Sequence, residues 1–201
     1  EALVADLLQT LYCDMHQYDR ALAYGEKAVT LARNLPDNQR VLAEYLSNLG
    51  NSYAYLHRYP ESLGMYRESL DLAKATGNVY TEATQLLNIG DVLWNTGRYD
   101  TLQAVYQDAL DKSRALGSKE NEVVALRGLA MYHQVKGQYA MAGDLLLSAL
   151  RISETEGLRK EKAKLLALLA NNHFALGDAR KGYAFSRESA RLNDSLLNAS
   201  M

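Results

Sequence analysis

The sequence predicts an all-α fold, an α-α superhelix of about five helix-turn-helix repeats. Apolar residues, small residues and two separate series of glycines recur every 40 residues along the chain. A constant period of this size is typical of stacked copies of one supersecondary unit, which form a single continuous array. The recurring positions include Leu46, Leu86, Leu126, Leu166, Gly77, Gly117, Gly157, Gly97, Gly137 and Gly177.

The register divides residues 1–201 into one solenoid with repeats at about 2–36, 37–77, 78–117, 118–157 and 158–198. The first repeat matches the second when it is shifted by 41 residues rather than 40. The matching residues of the first repeat are Leu8, Tyr12, Tyr18, Ala21 and Ala28. The third and fourth repeats keep the register closely. The fifth is weaker, because Ala179 replaces the tyrosine found at this point in the other repeats.

The second repeat shows the helix pair most clearly. Apolar residues between Gln39 and Leu56 recur at steps of three and four, which predicts an amphipathic helix. A second helix is predicted from about Pro60 to Ala75, since proline suits the first turn of a helix. Gly77 then supplies the left-handed residue that commonly closes a helix.

The turn inside each repeat also carries a residue suited to a left-handed backbone. Three repeats use glycine at this position, and the first two use His16 and His57. Histidine adopts the left-handed region more readily than most residues that have a side chain. We therefore interpret these two histidines as helix terminators rather than ligands.

The last helix is predicted to continue beyond the repeat length, with leucines at 196 and 197. A solenoid needs a terminal cap with a polar outer face. We therefore expect Leu196 and Leu197 to be covered by a C-terminal continuation of the protein or by the second copy in a homodimer.

Composition excludes several functional classes. The 201 residues are 48% hydrophobic and 23% charged, with a formal net charge of -2, which suits a folded protein. No basic stretch indicates a nucleic-acid partner, and no apolar run approaches the roughly 20 residues that span a bilayer. The single cysteine, Cys13, excludes an internal disulfide and a multi-cysteine metal site.

The sequence contains no recognisable catalytic arrangement, and we predict that the protein is not an enzyme and needs no cofactor. No nucleophile lies at a known spacing from a base, and no glycine-rich loop follows a strand. His133 and His173 occupy a packing position of the repeat. Cys13, Asp14 and His16 form only a weak metal signal. The prediction therefore contains no catalytic residue and no metal ligand.

The residues resemble a known family. Leu46-x2-Leu49-Gly50-x2-Tyr53 resembles the first-helix signature of the tetratricopeptide repeat, and Ser62-x3-Tyr66 resembles its second-helix signature. The usual repeat is about 34 residues long, whereas this one has 40, as in the long-repeat members of the family. The resemblance implies a right-handed solenoid whose first helices line a concave groove for a protein or peptide.

Two groove positions carry alternatives that the sequence leaves open. Asn48 and Asn88 share one repeat position, where amides can pair with a peptide backbone or with neighbouring helices. Trp94 is either a binding anchor or a packing residue. Ser47 and Leu87 stand where a carboxylate clamp would need cations, so we do not predict capture of a C-terminal carboxylate. The predicted groove residues are Asn48, Asn51, Tyr55, Asn88, Asp91, Trp94, Arg127, Met131, Gln134, Lys164, Asn171 and Phe174.

The segment from Ala184 to Asn198 resembles the end of repeat arrays in bacterial sensor proteins. This resemblance implies that the chain is the sensory or interaction region of a larger bacterial signalling or transcription-regulatory protein. The location would be periplasmic for a membrane-anchored sensor and cytoplasmic otherwise. The expected function is non-catalytic protein or peptide binding, without nucleic-acid or membrane contact by this segment. The alternative is a structural module that self-associates through its end helices.

Overall fold

The computed structural model describes residues 1–35 and 38–198, and in this part of the chain every regular element is an α-helix. The all-α prediction is thereby confirmed. The predicted boundary between the first and second repeats, at residues 36 and 37, lies outside the described residues. The helices are α1 (Ala2–Asp14), α2 (Tyr18–Arg33), α3 (Gln39–Tyr55), α4 (Tyr59–Thr76), α5 (Val79–Asn95), α6 (Leu102–Leu116), α7 (Lys119–Val135), α8 (Tyr139–Thr155), α9 (Arg159–Ala175) and α10 (Ala179–Asn198).

The helices end where the sequence predicts. His16 and His57 have φ values of 56° and 57°, and the six glycines of the two series all have positive φ. In the second repeat, α4 extends one residue further at each end than the predicted Pro60–Ala75, with Pro60 in its first turn. The left-handed terminators thus set both the turn within a repeat and the connection to the next one.

The chain divides into two compact units, Glu1–Arg98 and Tyr99–Met201. In the first unit, α3 is central and contacts α1, α2, α4 and α5. Its buried side chains Tyr45, Leu46, Leu49 and Tyr53 pack with small and apolar residues of α1 and α2. The first helices α1, α3 and α5 lie side by side, which is the arrangement that the repeat predicts.

The small residue of the repeat packs inside its own helix pair. A Cβ atom built on Gly50 would lie 2.5 Å from Cε1 of Tyr66 on α4. Gly50 thus allows the two helices of one pair, α3 and α4, to approach closely, and the sequence expectation that Gly50 serves the packing of neighbouring pairs is wrong. The reason is that the Tyr66 ring lies directly over the Gly50 backbone within the pair, where only a residue without a side chain fits.

In the second unit, α7 contacts α6, α8 and α9, and α9 contacts α8 and α10. Leu126, Leu146, Leu165, Leu166 and Leu169 are almost fully buried. The last helix, α10, buries only Gly182 and Ser189. Leu197 is 68% exposed and Leu196 is partly buried, so the cover predicted for them stays a prediction.

Serine hydroxyls repeat the same link between the helices of a pair. Ser69 Oγ donates to the Ala43 carbonyl at 2.6 Å, and Ser189 Oγ donates to the Ala163 carbonyl at 2.9 Å. Both serines occupy one repeat position, and both are buried. Because a buried hydroxyl needs a partner, the repeat conserves this hydrogen bond in two different units of the fold.

Candidate functional site

The first-helix face of the first unit contains a cavity of about 410 Å³. The last turns of α3 and α5 and the first half of α4 form its walls. We call it the tyrosine cavity, because Tyr55, Tyr59 and Tyr66 line it. The full lining is Asn51, Ala54, Tyr55, His57, Tyr59, Tyr66, Asn88, Asp91, Val92 and Asn95.

Internal contacts hold the tyrosine rings of this cavity in place. Tyr66 Oη donates to Asn51 Oδ1 at 2.7 Å, and His57 Nδ1 lies 2.9 Å from Tyr59 Oη. The Tyr55 ring stacks on Tyr18 with centroids 4.9 Å apart and an interplanar angle of 17°. Contacts within the chain therefore fix the positions of the cavity walls.

Electrostatics keep the central tyrosine in its neutral form. Burial raises the pKa of the Tyr66 hydroxyl far above its usual value of 10.0, and the negative charge of Asp91 raises it further. The Tyr66 hydroxyl therefore remains a hydrogen-bond donor throughout the physiological pH range. Burial also raises the pKa of Tyr55, with smaller effects from neighbouring acidic groups.

The two asparagines of the shared repeat position behave differently. Asn48 Nδ2 donates to Asp6 Oδ1 on α1 at 2.8 Å, so this amide links two neighbouring helices. Asn88 faces the tyrosine cavity and makes no side-chain hydrogen bond within residues 1–35 and 38–198. Asn48 therefore serves the packing of neighbouring helices, whereas the equivalent Asn88 faces the tyrosine cavity.

Four of the predicted groove residues come together in this cavity: Asn51, Tyr55, Asn88 and Asp91. Trp94 is partly buried in the last turn of α5 and does not line the cavity. The prediction missed His57, Tyr59, Tyr66 and Asn95. Tyr59 is the recurring turn tyrosine, so its position one residue before Pro60 was the available signal.

The predicted residues of the second unit make a different surface. Arg127 Nε donates to Glu161 Oε2 at 3.1 Å, and Lys164 Nζ contacts Glu161 Oε1 at 2.6 Å. One carboxylate thus holds both cations, which is consistent with the missing carboxylate clamp. Glu161 and Lys164 also line a cavity of about 480 Å³ beside α10, together with Arg159 and Leu196.

The remaining predicted residues of this unit are partly engaged in packing. Gln134 Nε2 donates to the Leu168 carbonyl at 3.1 Å, and the Met131 sulfur lies 3.7 Å from Arg127 Nη1. The Phe174 ring, 40% exposed, meets Tyr183 edge-on at 5.2 Å. Asn171 is exposed on α9.

The histidines outside the turns have structural surroundings. His133 is buried, with Nδ1 2.6 Å from Gln138 Oε1, and His173 stacks on Phe185 at 5.4 Å. Among the described residues, no group of three or more His, Cys, Asp and Glu side chains is arranged to hold a metal ion. Across the same residues, no helix combines the length and apolar character that crossing a membrane requires.

Comparison with known proteins follows the repeat register. The family model for the tetratricopeptide repeat matches residues 5–75 and 80–155. No curated protein matches the sequence as a relative. The two matched segments cover most of the chain, including the tyrosine cavity and α7.

Solved structures share this fold at low sequence identity. BtubC from P. vanneervenii is 17% identical, with a TM-score of 0.80 over 96% of this chain and 79% of its own. The Rap conjugation gene regulator of plasmid pLS20, solved with the Phr* peptide, is 18% identical, with a TM-score of 0.81 over 96% of this chain and 53% of its own.

A third structure is a signal transduction ATPase with a tetratricopeptide repeat sensor, PH0952 from Pyrococcus horikoshii. It is 20% identical, with a TM-score of 0.80 over 96% of this chain and 30% of its own. The chain therefore spans about half the length of the Rap regulator and less than a third of PH0952. At these identities the likeness establishes the fold, and together with the family match it shows that the chain belongs to the tetratricopeptide repeat family.

Proposed function

We propose that this chain is a non-catalytic scaffold that binds an extended protein or peptide segment along its first helices. The observation that carries the proposal is the tyrosine cavity, in which organised aromatic walls lie beside the Asn88 amide, which makes no side-chain hydrogen bond to any residue that the structure describes. An asparagine amide both donates and accepts, so it can pair with a backbone peptide group in an extended chain. Aromatic walls supply contact area at a small cost in side-chain entropy.

The solved relatives support this proposal without deciding it. The pLS20 Rap regulator has the same fold and was solved with a peptide, and PH0952 carries its repeats as a sensor. By analogy, we infer that the chain is the sensory or interaction region of a larger bacterial regulator. Its location would be periplasmic if that regulator is membrane-anchored and cytoplasmic if it is not.

Selection from a random peptide library, followed by a binding measurement, tests the proposal. A selected peptide is labelled, and its affinity is measured by fluorescence anisotropy for the unmodified chain and for Asn88→Ala. Loss of two amide hydrogen bonds, each contributing about 1 kcal/mol, predicts affinity weakened by about tenfold or more. Asn198→Ala, at the exposed end of α10, is the matched control and should bind normally.

The proposal is wrong if no library peptide binds, or if every selected peptide binds Asn88→Ala as tightly as the unmodified chain. Circular dichroism melts of both variants confirm that the helices are intact. Weakened binding by a variant can then be attributed to the substituted side chain only when its melt matches that of the unmodified chain.

A second candidate function is self-association through the end helices, and one observation favours it. Five apolar side chains of the first helix and its C-terminal turn are each more than half exposed: Leu3, Val4, Leu7, Leu11 and Met15. Four of them recur at steps of four residues, so they form one continuous stripe. An exposed apolar patch of this kind commonly marks an interaction surface.

Light scattering over a range of protein concentrations tests this second candidate. A dimer that becomes monomeric in Leu7→Glu would support it. Glu substitution at Leu147, an exposed leucine of α8, is the control. A strictly monomeric unmodified chain would rule out self-association.

A further inference from the structure

The tyrosine cavity carries a charge pattern that its lining residues set. Asp91 is its one carboxylate, and the lining includes neither lysine nor arginine. The nearest cation in sequence, Arg58, contacts Glu61 Oε1 at 2.7 Å and lies over the Tyr53 ring at 4.7 Å. The described lining therefore offers acceptors and aromatic faces to a ligand, with His57 as its one basic side chain.

Helix ends reinforce this pattern. Ala54 and Tyr55 belong to the last turn of α3, and Val92 and Asn95 belong to the last turn of α5. The C-terminal end of a helix carries a partial negative charge because its final carbonyl groups lack intrahelical partners. Two such ends meet at one cavity and add to the negative potential of Asp91, while the first turn of α4, which contributes Tyr59, brings the positive end of one helix to the same cavity.

The helices that carry the site have the same bias. The first helices of this unit, α1, α3 and α5, contain five acidic residues and one basic residue. That basic residue, Arg40, lies in the first turn of α3, at the opposite end from the cavity. By contrast, the first helices of the other unit, α7 and α9, contain three acidic residues and six lysines or arginines.

We propose that the tyrosine cavity accepts the cationic side chain, lysine or arginine, of the bound peptide. Asp91 neutralises the charge, the amide oxygens of Asn51, Asn88 and Asn95 supply acceptors, and the rings of Tyr55 and Tyr59 contact the cation. Cations are attracted to the faces of aromatic rings, most strongly where water is excluded. Guanidinium and ammonium groups carry donors only, so they match a site that is rich in acceptors.

This inference rests on the proposed function and names the ligand chemistry of the same site. It also excludes an acidic peptide side chain from this cavity, because such a side chain would be repelled by Asp91 and by two helix C-termini. A lysine or arginine of the peptide would therefore fix the position of the extended chain against Asn88. The rest of the peptide would contribute backbone contacts that do not depend on its sequence.

The test compares two tripeptides that differ only in charge. Acetyl-Gly-Arg-Gly-amide and the citrulline analogue, which has nearly the same shape but is neutral, are titrated into the isotope-labelled chain and followed by NMR. The arginine peptide should shift amide signals within residues 51–59 and 88–95. It should bind about fivefold or more tightly than the citrulline peptide, because its hydrogen bonds are charge-assisted.

Two substitutions with opposite effects accompany the titration. Asp91→Asn should weaken binding of the arginine peptide by about fivefold or more, and Asn95→Asp should tighten it, since it adds a second carboxylate. Asp71→Asn removes the same charge from an exposed position on α4, and binding should remain unchanged. Because Asn95→Asp is expected to gain affinity, a folding defect in Asp91→Asn would leave the proposal testable.

Three results would overturn the inference. The first is equal affinity for the arginine and citrulline peptides, and the second is signal shifts confined to other parts of the chain. The third is tighter binding of agmatine than of the arginine tripeptide, which would make the cavity a site for a small free cation. If library peptides depend on Asn88 yet show no enrichment in lysine or arginine, the scaffold function stands and this inference fails.

Discussion

At the scale of single residues, the fold depends on where side chains are absent. Gly50 accommodates the Tyr66 ring. The first repeat makes the equivalent contact, but there the large side chain is on the first helix and the glycine is on the second. There Gln9 occupies the position of Gly50 and packs on Gly25, which occupies the position of Tyr66. In both of these repeats one side chain fills the space between the paired helices, and it comes from the first helix in one repeat and from the second helix in the other.

Gly50→Ala should lower the free energy of unfolding by about 1–3 kcal/mol, because the new methyl group would overlap the Tyr66 ring. Urea denaturation followed by circular dichroism measures the change. Gly64→Ala on α4 is the matched control, since its added Cβ would meet no atom within 4 Å. That control should stabilise the helix by about 0.5–1 kcal/mol. A neutral Gly50→Ala would contradict the packing.

Gly137→Ala tests the turn positions separately from packing. Its φ is 71°, and an added Cβ would meet nothing within 4 Å. The expected loss of about 1 kcal/mol therefore comes from backbone strain alone. Gly137→Asn should lose less, because asparagine enters the left-handed region more readily than alanine. Thermal melts of the two variants compare them, and equal losses would contradict the explanation.

At the scale of elements, one buried carboxylate joins two helices of the second unit. Glu122 on α7 contacts Arg114 on α6 at 3.0 Å and Lys119 at 2.8 Å, and its side chain is 8% exposed. Burial alone would raise the pKa of Glu122, but the hydrogen bonds from Lys119 and Arg114 outweigh it and lower the pKa below 4.5. Glu122 is therefore ionised and stabilising at neutral pH.

The lowered pKa predicts an acid-sensitive contribution to stability. Its contribution is complete above the unfolded value near 4.5 and is lost as the pH falls through the lower folded value. Glu122→Gln should cost about 1–2 kcal/mol at pH 7 and reduce the stability that the chain loses on acidification. Denaturation at pH 7 and pH 3 measures both effects. Glu120→Gln, exposed on the same turn, is the control and should leave the free energy of unfolding at pH 7 unchanged.

At the scale of the whole molecule, contacts within each unit join only helices that are close in sequence. In the first unit these contacts run from α1 to α5, and no pair there is separated by more than one intervening helix. Stability in such an array is approximately a sum of local and nearest-neighbour terms. A local defect should therefore remain local.

Hydrogen exchange tests this locality. In Gly50→Ala, amides of α3 and α4 should exchange faster, while those of α8 and α9 should keep their rates, because local opening follows local stability. Mass spectrometry of exchanged fragments resolves the individual helices. A uniform increase in exchange across α1–α10 would show instead that the whole chain unfolds as one cooperative body.

The sequence determined the helices and their terminators, and the signature residues of the repeat indicated the family. Left-handed glycines and histidines act through local backbone geometry, which depends on neighbouring residues and can be read directly from the sequence. The groove face of the first helices came from the resemblance to the tetratricopeptide repeat, which implies that those helices line a concave surface. Asn51, Tyr55, Asn88 and Asp91 were therefore assigned to the face on which the cavity lies.

Only the tertiary structure decided which of those side chains remain available. Asn48 and Asn88 are equivalent in the register, yet Asp6 on α1 engages Asn48, and Asn88 faces the cavity. Arg127 on α7 pairs with Glu161 on α9 for the same kind of reason. These two pairings join side chains on different helices, and Asp6 is absent from the corresponding position of the other repeats, so periodicity carries no information about them. The physical reason is that hydrogen bonds and ion pairs depend on distances of a few ångströms between helices, which only the packed fold sets.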